Sequence, residues 1–179
     1  KEVLCVNSWT SGAMLALKWY GIGKGDEVII PAYTYAATAL CVMNLGAKPV
    51  MIDVKNDFTI DEKKIDEKIN SRTKAIIPVD LAGLPCSYNE IYDIINKKTN
   101  LEKFEANNSI QKKLNRILVL SDAAHSIGAK YFSKQIGSIS DITVFSFHSV
   151  KNITTGEGGA VCLNLPQPFS NLDEFNFLK

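Results

Sequence analysis

Short apolar runs rich in β-branched residues, with helix-forming stretches between them, constrain this fold most. The runs fall at residues 2–6, 28–30, 48–54, 75–79, 117–120, 141–147 and 160–163. Each is too short for a stable helix and reads as a strand. Between them, residues 13–20 and 36–45 have helical composition, and residues 88–97 place Ile91, Ile94 and Ile95 at helical spacing. Parallel neighbours need a crossover between them, so strand alternating with helix specifies an α/β domain with a mainly parallel sheet. Ligands of such sheets collect at the carboxyl ends of the strands. The 179 residues suffice for one domain of this kind.

The other segments are less regular. Residues 61–70 read as an exposed amphipathic helix with a mixed-charge face. Residues 98–115 are polar and charged, interrupt the alternation, and read as a mobile surface insertion. Residues 128–139 read as a short hairpin or loop. Past Leu163 the chain carries prolines and then what looks like the start of a helix. The glycines at 21, 23 and 25 end a helix rather than follow a strand, so they carry no dinucleotide-binding weight.

Three places carry chemistry. Lys151 lies between the apolar runs at 141–147 and 160–163, just before the glycines at 156, 158 and 159. A lysine amine held there can act as a nucleophile toward a carbonyl, although most loop lysines are simply solvated. Residues 7–12, Asn-Ser-Trp-Thr-Ser-Gly, separate a strand from a helix. That arrangement makes an anion site from first-turn N–H groups, or else an ordinary N-cap by Ser8 or Thr10. Asp122 directly follows the run at 117–120; a lone Asp there is also a common turn residue. All three would meet at one rim of the sheet. Together they fit pyridoxal phosphate, which needs a phosphate site, a carboxylate for its ring nitrogen and a lysine for a Schiff base.

Composition removes several other functions. Lys+Arg 20 against Asp+Glu 19 leaves a formal charge of +1, so nothing electrostatic favours nucleic acid or an anionic membrane. No apolar run approaches the roughly 20 residues of a membrane span, and the first residues do not read as a signal peptide. Cys5, Cys41, Cys86 and Cys162 are far apart, with no CxxC pair, and read as buried free thiols in a reducing compartment, the cytoplasm. With only His125 and His148 available, no metal site is expected.

At residues 145–159 the sequence FSFHSVKNITTGEGG resembles the Schiff-base motif of the DegT/DnrJ/EryC1/StrS aminotransferases. These are fold-type I, pyridoxal-phosphate enzymes that aminate nucleotide-linked keto-sugars. NSWTS at 7–11, GDEVIIPAYTYAAT at 25–38, LGAKPV at 45–50 and DAAHS at 122–126 resemble further segments of the family, in collinear order. The resemblance implies a fold-type I large domain over 1–179, with a seven-stranded-type sheet flanked by helices and the C-terminal small domain missing. It implies that Lys151 holds the cofactor and that Asp122 partners the pyridine nitrogen, these two being catalytic. Thr10, Ser11 and Ser146 match phosphate contacts, His125 a position near the ring hydroxyl, and Tyr35 an aromatic stacked on the ring.

A sugar-nucleotide acceptor, an amino-acid donor (glutamate by analogy) and a homodimer are implied in the same way. Residues 80–83 match a loop near the sugar, and the motif's His148 reads as a packing residue. Two departures stand out. Trp9 occupies a usual glycine position, and the segments that relatives carry before and after this region are lacking, so the chain reads as a fragment. The alternatives are a truncated non-catalytic copy or another fold-type I activity. Lys151 argues against a dehydratase, whose lysine is replaced by histidine.

Overall fold

The computed structural model describes residues 2–179. Along the chain run β1 (Glu2–Val6), α1 (Trp9–Trp19), β2 (Glu27–Pro31), α2 (Ala36–Asn44), β3 (Lys48–Ile52), β4 (Thr73–Ile76), α3 (Tyr88–Ile95), α4 (Lys98–Lys103) and α5 (Ser109–Leu114). β5 (Leu118–Asp122), β6 (Lys130–Tyr131), β7 (Lys134–Gln135), β8 (Ile142–Ser146), β9 (Gly159–Leu163) and α6 (Asn171–Leu178) follow. One seven-stranded sheet has the order β1-β9-β8-β5-β4-β2-β3. β3, β2, β4, β5 and β8 pair in parallel, and β9 alone runs against both its neighbours, β8 and β1. The mainly parallel sheet expected from the sequence is the one that forms. β6 and β7 make the small hairpin expected near residues 128–139.

Period-two alternation sorts each central strand into two cores, one on each face of the sheet. Val28 and Ile30 of β2, Leu118 and Leu120 of β5, Ile142 and Val144 of β8, and Val161 and Leu163 of β9 join one cluster with α1 and α2. The intervening Ile29, Val119, Phe145 and Ala160 join the other, against Tyr88, Ile91 and Ile95 of α3. Burial on both faces explains why these strands read as nearly continuous apolar runs.

α1 begins at Trp9, inside the stretch the sequence suggested as a loop, because Ser8 caps it by accepting the Ser11 N–H at 3.1 Å. Its buried residues Trp9, Gly12, Ala13, Ala16 and Leu17 recur at the helical period and face the sheet. A Cβ on Gly12 would lie 2.9 to 3.1 Å from methyls of Val161, Val144 and Val6. The missing side chain lets the helix lie close over β9, β8 and β1.

Three expectations are corrected. Residues 61–70 form two short 3-10 turns, Glu62–Lys64 and Asp66–Lys68, rather than an exposed helix. Ile65 and Ile69 are drawn into the core, and Glu62 is buried against Lys55 Nζ at 2.8 Å. Residues 98–115 hold two helices bonded to the body of the domain. Gln111 Nε2 and Asn108 Nδ2 donate to the Tyr20 carbonyl that ends α1, and Asn107 donates to Asp26. Cys5 is exposed, because on edge strand β1 alternate side chains Val3 and Cys5 face outward; Cys41 and Cys86 are buried. Among the described residues no helix is long and apolar enough to cross a membrane, and no cluster of His, Cys, Asp and Glu could hold a metal.

Candidate functional site

A pocket of about 410 Å³ opens at the carboxyl ends of β5 and β8. Thr10, Tyr35, Asp122, His125, Ser146 and Lys151 all line it; Ser11 does not. Six of the seven positions singled out in the sequence, drawn from segments far apart in the chain, therefore converge.

The N-terminus of α1 forms one wall. Gly12 N–H is the first to reach a helical carbonyl, Ser8 O at 3.1 Å, and Ser11 N–H is taken by the Ser8 hydroxyl. This leaves the Trp9 and Thr10 amides at the mouth of the helix without a partner among the described residues, in a first turn that has no acidic side chain. Such an end attracts anions through its N–H groups and the helix dipole. The Ser11 hydroxyl is turned away, toward the Asn7 side chain and the Ser8 carbonyl. Gly159 allows the helix end to come this close. A Cβ there would lie 2.7 Å from Phe145 O and 3.1 Å from Trp9 N, both backbone atoms. Ser146, the last residue of β8, adds a hydroxyl nearby.

Asp122 ends β5 and is 5% exposed. Its carboxylate accepts the Thr38 hydroxyl at 3.1 Å and the Ala124 N–H at 3.2 Å, and Thr38 is bonded to Thr34 at 2.8 Å. Burial pushes its pKa up to about 7; the negative charge of Asp80 adds to the rise, and the hydrogen bonds and Lys151 oppose it. Asp80 follows β4 and is fully buried. It accepts from Cys86 N–H at 3.0 Å, Tyr88 at 2.8 Å, and Ser121 and Ser126 at 3.3 Å each. Burial also raises Asp80, to about 6. The sequence suggested residues 80–83 as substrate contacts. Asp80 and Leu81 both line the pocket, and the Asp80 carboxylate is hydrogen-bonded into this buried network.

Lys151 lies on the loop after β8, and its Nζ sits 2.9 Å from His125 Nε2. The Ala82 N–H donates to the other ring nitrogen of His125, Nδ1, at 3.3 Å. Burial lowers the His125 pKa, and the neighbouring Lys151 lowers it further. Tyr35 precedes α2 and is 83% exposed at the rim. His148 is not the packing residue expected. It stands partly exposed on the lysine loop with Nε2 3.4 Å from Glu157, and both line the pocket.

Thr38 and Thr34 were missed from sequence. Two threonines four apart at the start of a helix place both hydroxyls on one face, and that was the available signal. The residues fit the cofactor implied by the resemblance. One wall presents N–H and hydroxyl donors to an anion, a buried carboxylate faces the pocket from the strand end, and an amine stands between strands.

The sequence model of the DegT/DnrJ/EryC1/StrS aminotransferase family matches residues 1–175. Over 167 residues the chain is 40% identical to GDP-perosamine synthase of Caulobacter vibrioides, covering 92% of this chain and 40% of that protein. It is 39% identical over 160 residues to the spore coat polysaccharide biosynthesis protein SpsC of Bacillus subtilis, covering 89% and 37%. Among solved structures, the PLP form of Spr1654 from Streptococcus pneumoniae, described as a candidate sugar aminotransferase, superposes with a TM-score of 0.94 at 38% identity. That match covers 98% of this chain and 45% of that one. The chain thus spans well under half the length of these relatives.

Proposed function

Since this chain belongs to the DegT/DnrJ/EryC1/StrS aminotransferase family, we propose that its pocket holds pyridoxal 5'-phosphate and serves amino transfer from an amino acid, glutamate by analogy, to a nucleotide-linked keto-sugar. The single observation that carries this reading is the convergence of Lys151, Asp122 and the α1 N-terminus on one pocket. The cofactor, when bound, supplies a carbonyl carbon and an electron-accepting ring.

The chain's own residues do the rest. The N-terminus of α1, with Thr10 and the Ser146 hydroxyl, offers donors to the phosphate, and the absence of a first-turn carboxylate keeps that end receptive. Asp122 is held by Thr38 and Ala124 with its charge suppressed by burial. A partner bearing a proton on a ring nitrogen supplies the positive charge that this carboxylate lacks. Lys151 Nζ would be the nucleophile toward that carbonyl, and its amine is the group in the pocket able to hold or move a proton there. His125 bonds to that nitrogen and sets its direction. Tyr35 offers an aromatic face at the rim.

The test is to mix the chain with pyridoxal phosphate, record its visible absorption, reduce with borohydride and locate the adduct by peptide mass. A pyridoxyl group on Lys151, absent in Lys151→Ala, is expected. An adduct spread over surface lysines, or none, refutes the assignment of this pocket.

A further inference from the structure

We propose that the indole N–H of Trp9 is a donor to the phosphate group of the ligand that fills the pocket, so that a side chain binds the anion at a position usually held by glycine. The inference rests on the proposed function for the identity of the ligand and on an unsatisfied donor for its content. Among the described residues, Trp9 Nε1 is the buried side-chain polar atom without a hydrogen-bond partner. Buried indole N–H groups ordinarily find an acceptor. The chain's other tryptophan does so: Trp19 Nε1 donates to Glu174 at 3.0 Å. Trp9 is 6% exposed and packs into the apolar cluster between α1 and the sheet. A phenyl ring would serve that cluster with no donor left over, so packing alone does not account for the indole.

The place of Trp9 in the fold supplies the missing partner. It is the first residue of α1 and lines the pocket, which is the space beside it that protein leaves unfilled. The Trp9 and Thr10 amides are unpaired at the same helix end, and no acidic side chain stands in that first turn. A wall of donors selects a ligand rich in acceptors, and a phosphate presents three strong ones. Nε1 is covered in the empty site, so the contact forms as the ring turns about its own side-chain bonds toward an oxygen that has entered. The Ser8 cap holds α1 in place meanwhile. The unpaired donor of the empty site thus becomes a charge-assisted hydrogen bond of the filled one. Trp9 thereby favours a phosphorylated ligand over its unphosphorylated counterpart.

The experiment follows the two indole N–H signals in 1H–15N spectra of the full chain, with Trp19→Phe assigning them. Inorganic phosphate is the first probe, since it has no aromatic ring to shift neighbouring signals. The Trp9 signal should lie at the position of an unbonded indole in the ligand-free chain and move downfield to saturation with phosphate. It should move likewise with pyridoxal phosphate, while the Trp19 signal stays in place. In parallel, pyridoxal phosphate and pyridoxal are compared by the concentration that half-loads Lys151 before borohydride reduction. Trp9→Phe should narrow the preference for the phosphorylated ligand about tenfold, the worth of one hydrogen bond to a charged group. A variant that merely packs badly loses both ligands equally, and an equal loss overturns the inference. A Trp9 signal already at the bonded position without ligand also overturns it, as does one that stays put while Lys151 acquires the pyridoxyl group; both results leave the proposed function intact. A phosphate shift at Trp9 with no adduct on Lys151 supports the donor and defeats the cofactor assignment. No shift and no adduct defeats both.

Discussion

Replacing Asp122 with Asn should make the cofactor-free chain more stable than the wild type at mildly alkaline pH and lose that advantage in acid. Burial raises the Asp122 carboxyl from 3.8 to about 7. The folded chain therefore holds a proton there that the unfolded chain has released. A raised acid contributes stability that is fully present below the unfolded value and lost as pH rises through the folded one. At about 1.4 kcal/mol for each pH unit between the two values, the loss above about pH 7 is about 4 kcal/mol. Asn has the same shape and no charge, so it escapes that loss. Its oxygen can keep the Ala124 N–H, and Thr38 can rotate to accept from the new amide, at a cost of about 1 kcal/mol for one altered bond. The expected net gain is about 3 kcal/mol near pH 8, falling to nothing or reversing near pH 4. Urea unfolding at both pH values, with unchanged m, measures it. The same difference at both pH values would falsify the argument. The variant should also bind pyridoxal phosphate poorly, since the strained carboxylate is the group that the ring nitrogen needs.

Other predictions are structural. Gly159→Ala should destabilise the chain by about 1–3 kcal/mol, because its methyl meets backbone of β8 and α1 that cannot rotate aside; an unchanged urea midpoint counts against the close approach described. Lys151→Met should raise the titration midpoint of His125, since Lys151 depresses it, and proton NMR of the ring would show no movement if the two groups are apart in solution. Asp141→Asn breaks a bidentate pair with Arg116, at 2.7 and 2.8 Å, and weakens bonds to Val119 N–H and Tyr92. It should cost about 3–5 kcal/mol in a thermal or urea melt, and a loss below about 1 kcal/mol would mean that the pair is solvated.

The strands were legible because each central strand is buried on both faces, leaving an unbroken apolar signal. Lys151 and Asp122 were legible because they stand just beyond such signals. Thr38 was not. Nothing local to a helix start reveals that its hydroxyl will reach a carboxylate 84 positions away. The full burial of Asp80 was not legible either, because the groups that satisfy it, Cys86 N–H, Tyr88, Ser121 and Ser126, come from separate segments. Residues 61–70 misled because Glu62 is charged and yet buried, paired with Lys55 rather than with water. Asn100 and Gln111 read as solvent-facing, but their amides spend their donors on buried backbone carbonyls.

The single reversed strand has a consequence for the order in which the site is made. β1 pairs with β9 alone, and Glu2 stands opposite Leu163. A ribosome adding about 5–20 residues per second therefore holds β1 without a sheet partner for roughly 10–30 seconds. Over that interval β2 to β5 can find their neighbours, while the helix end that cradles an anion lacks the β8 and β9 backbone it abuts. β8 and β9, joined by the short arch that carries Lys151, are closed by a much smaller loop. The amine's scaffold can thus form locally, and the anion wall comes last, when β1 docks on β9.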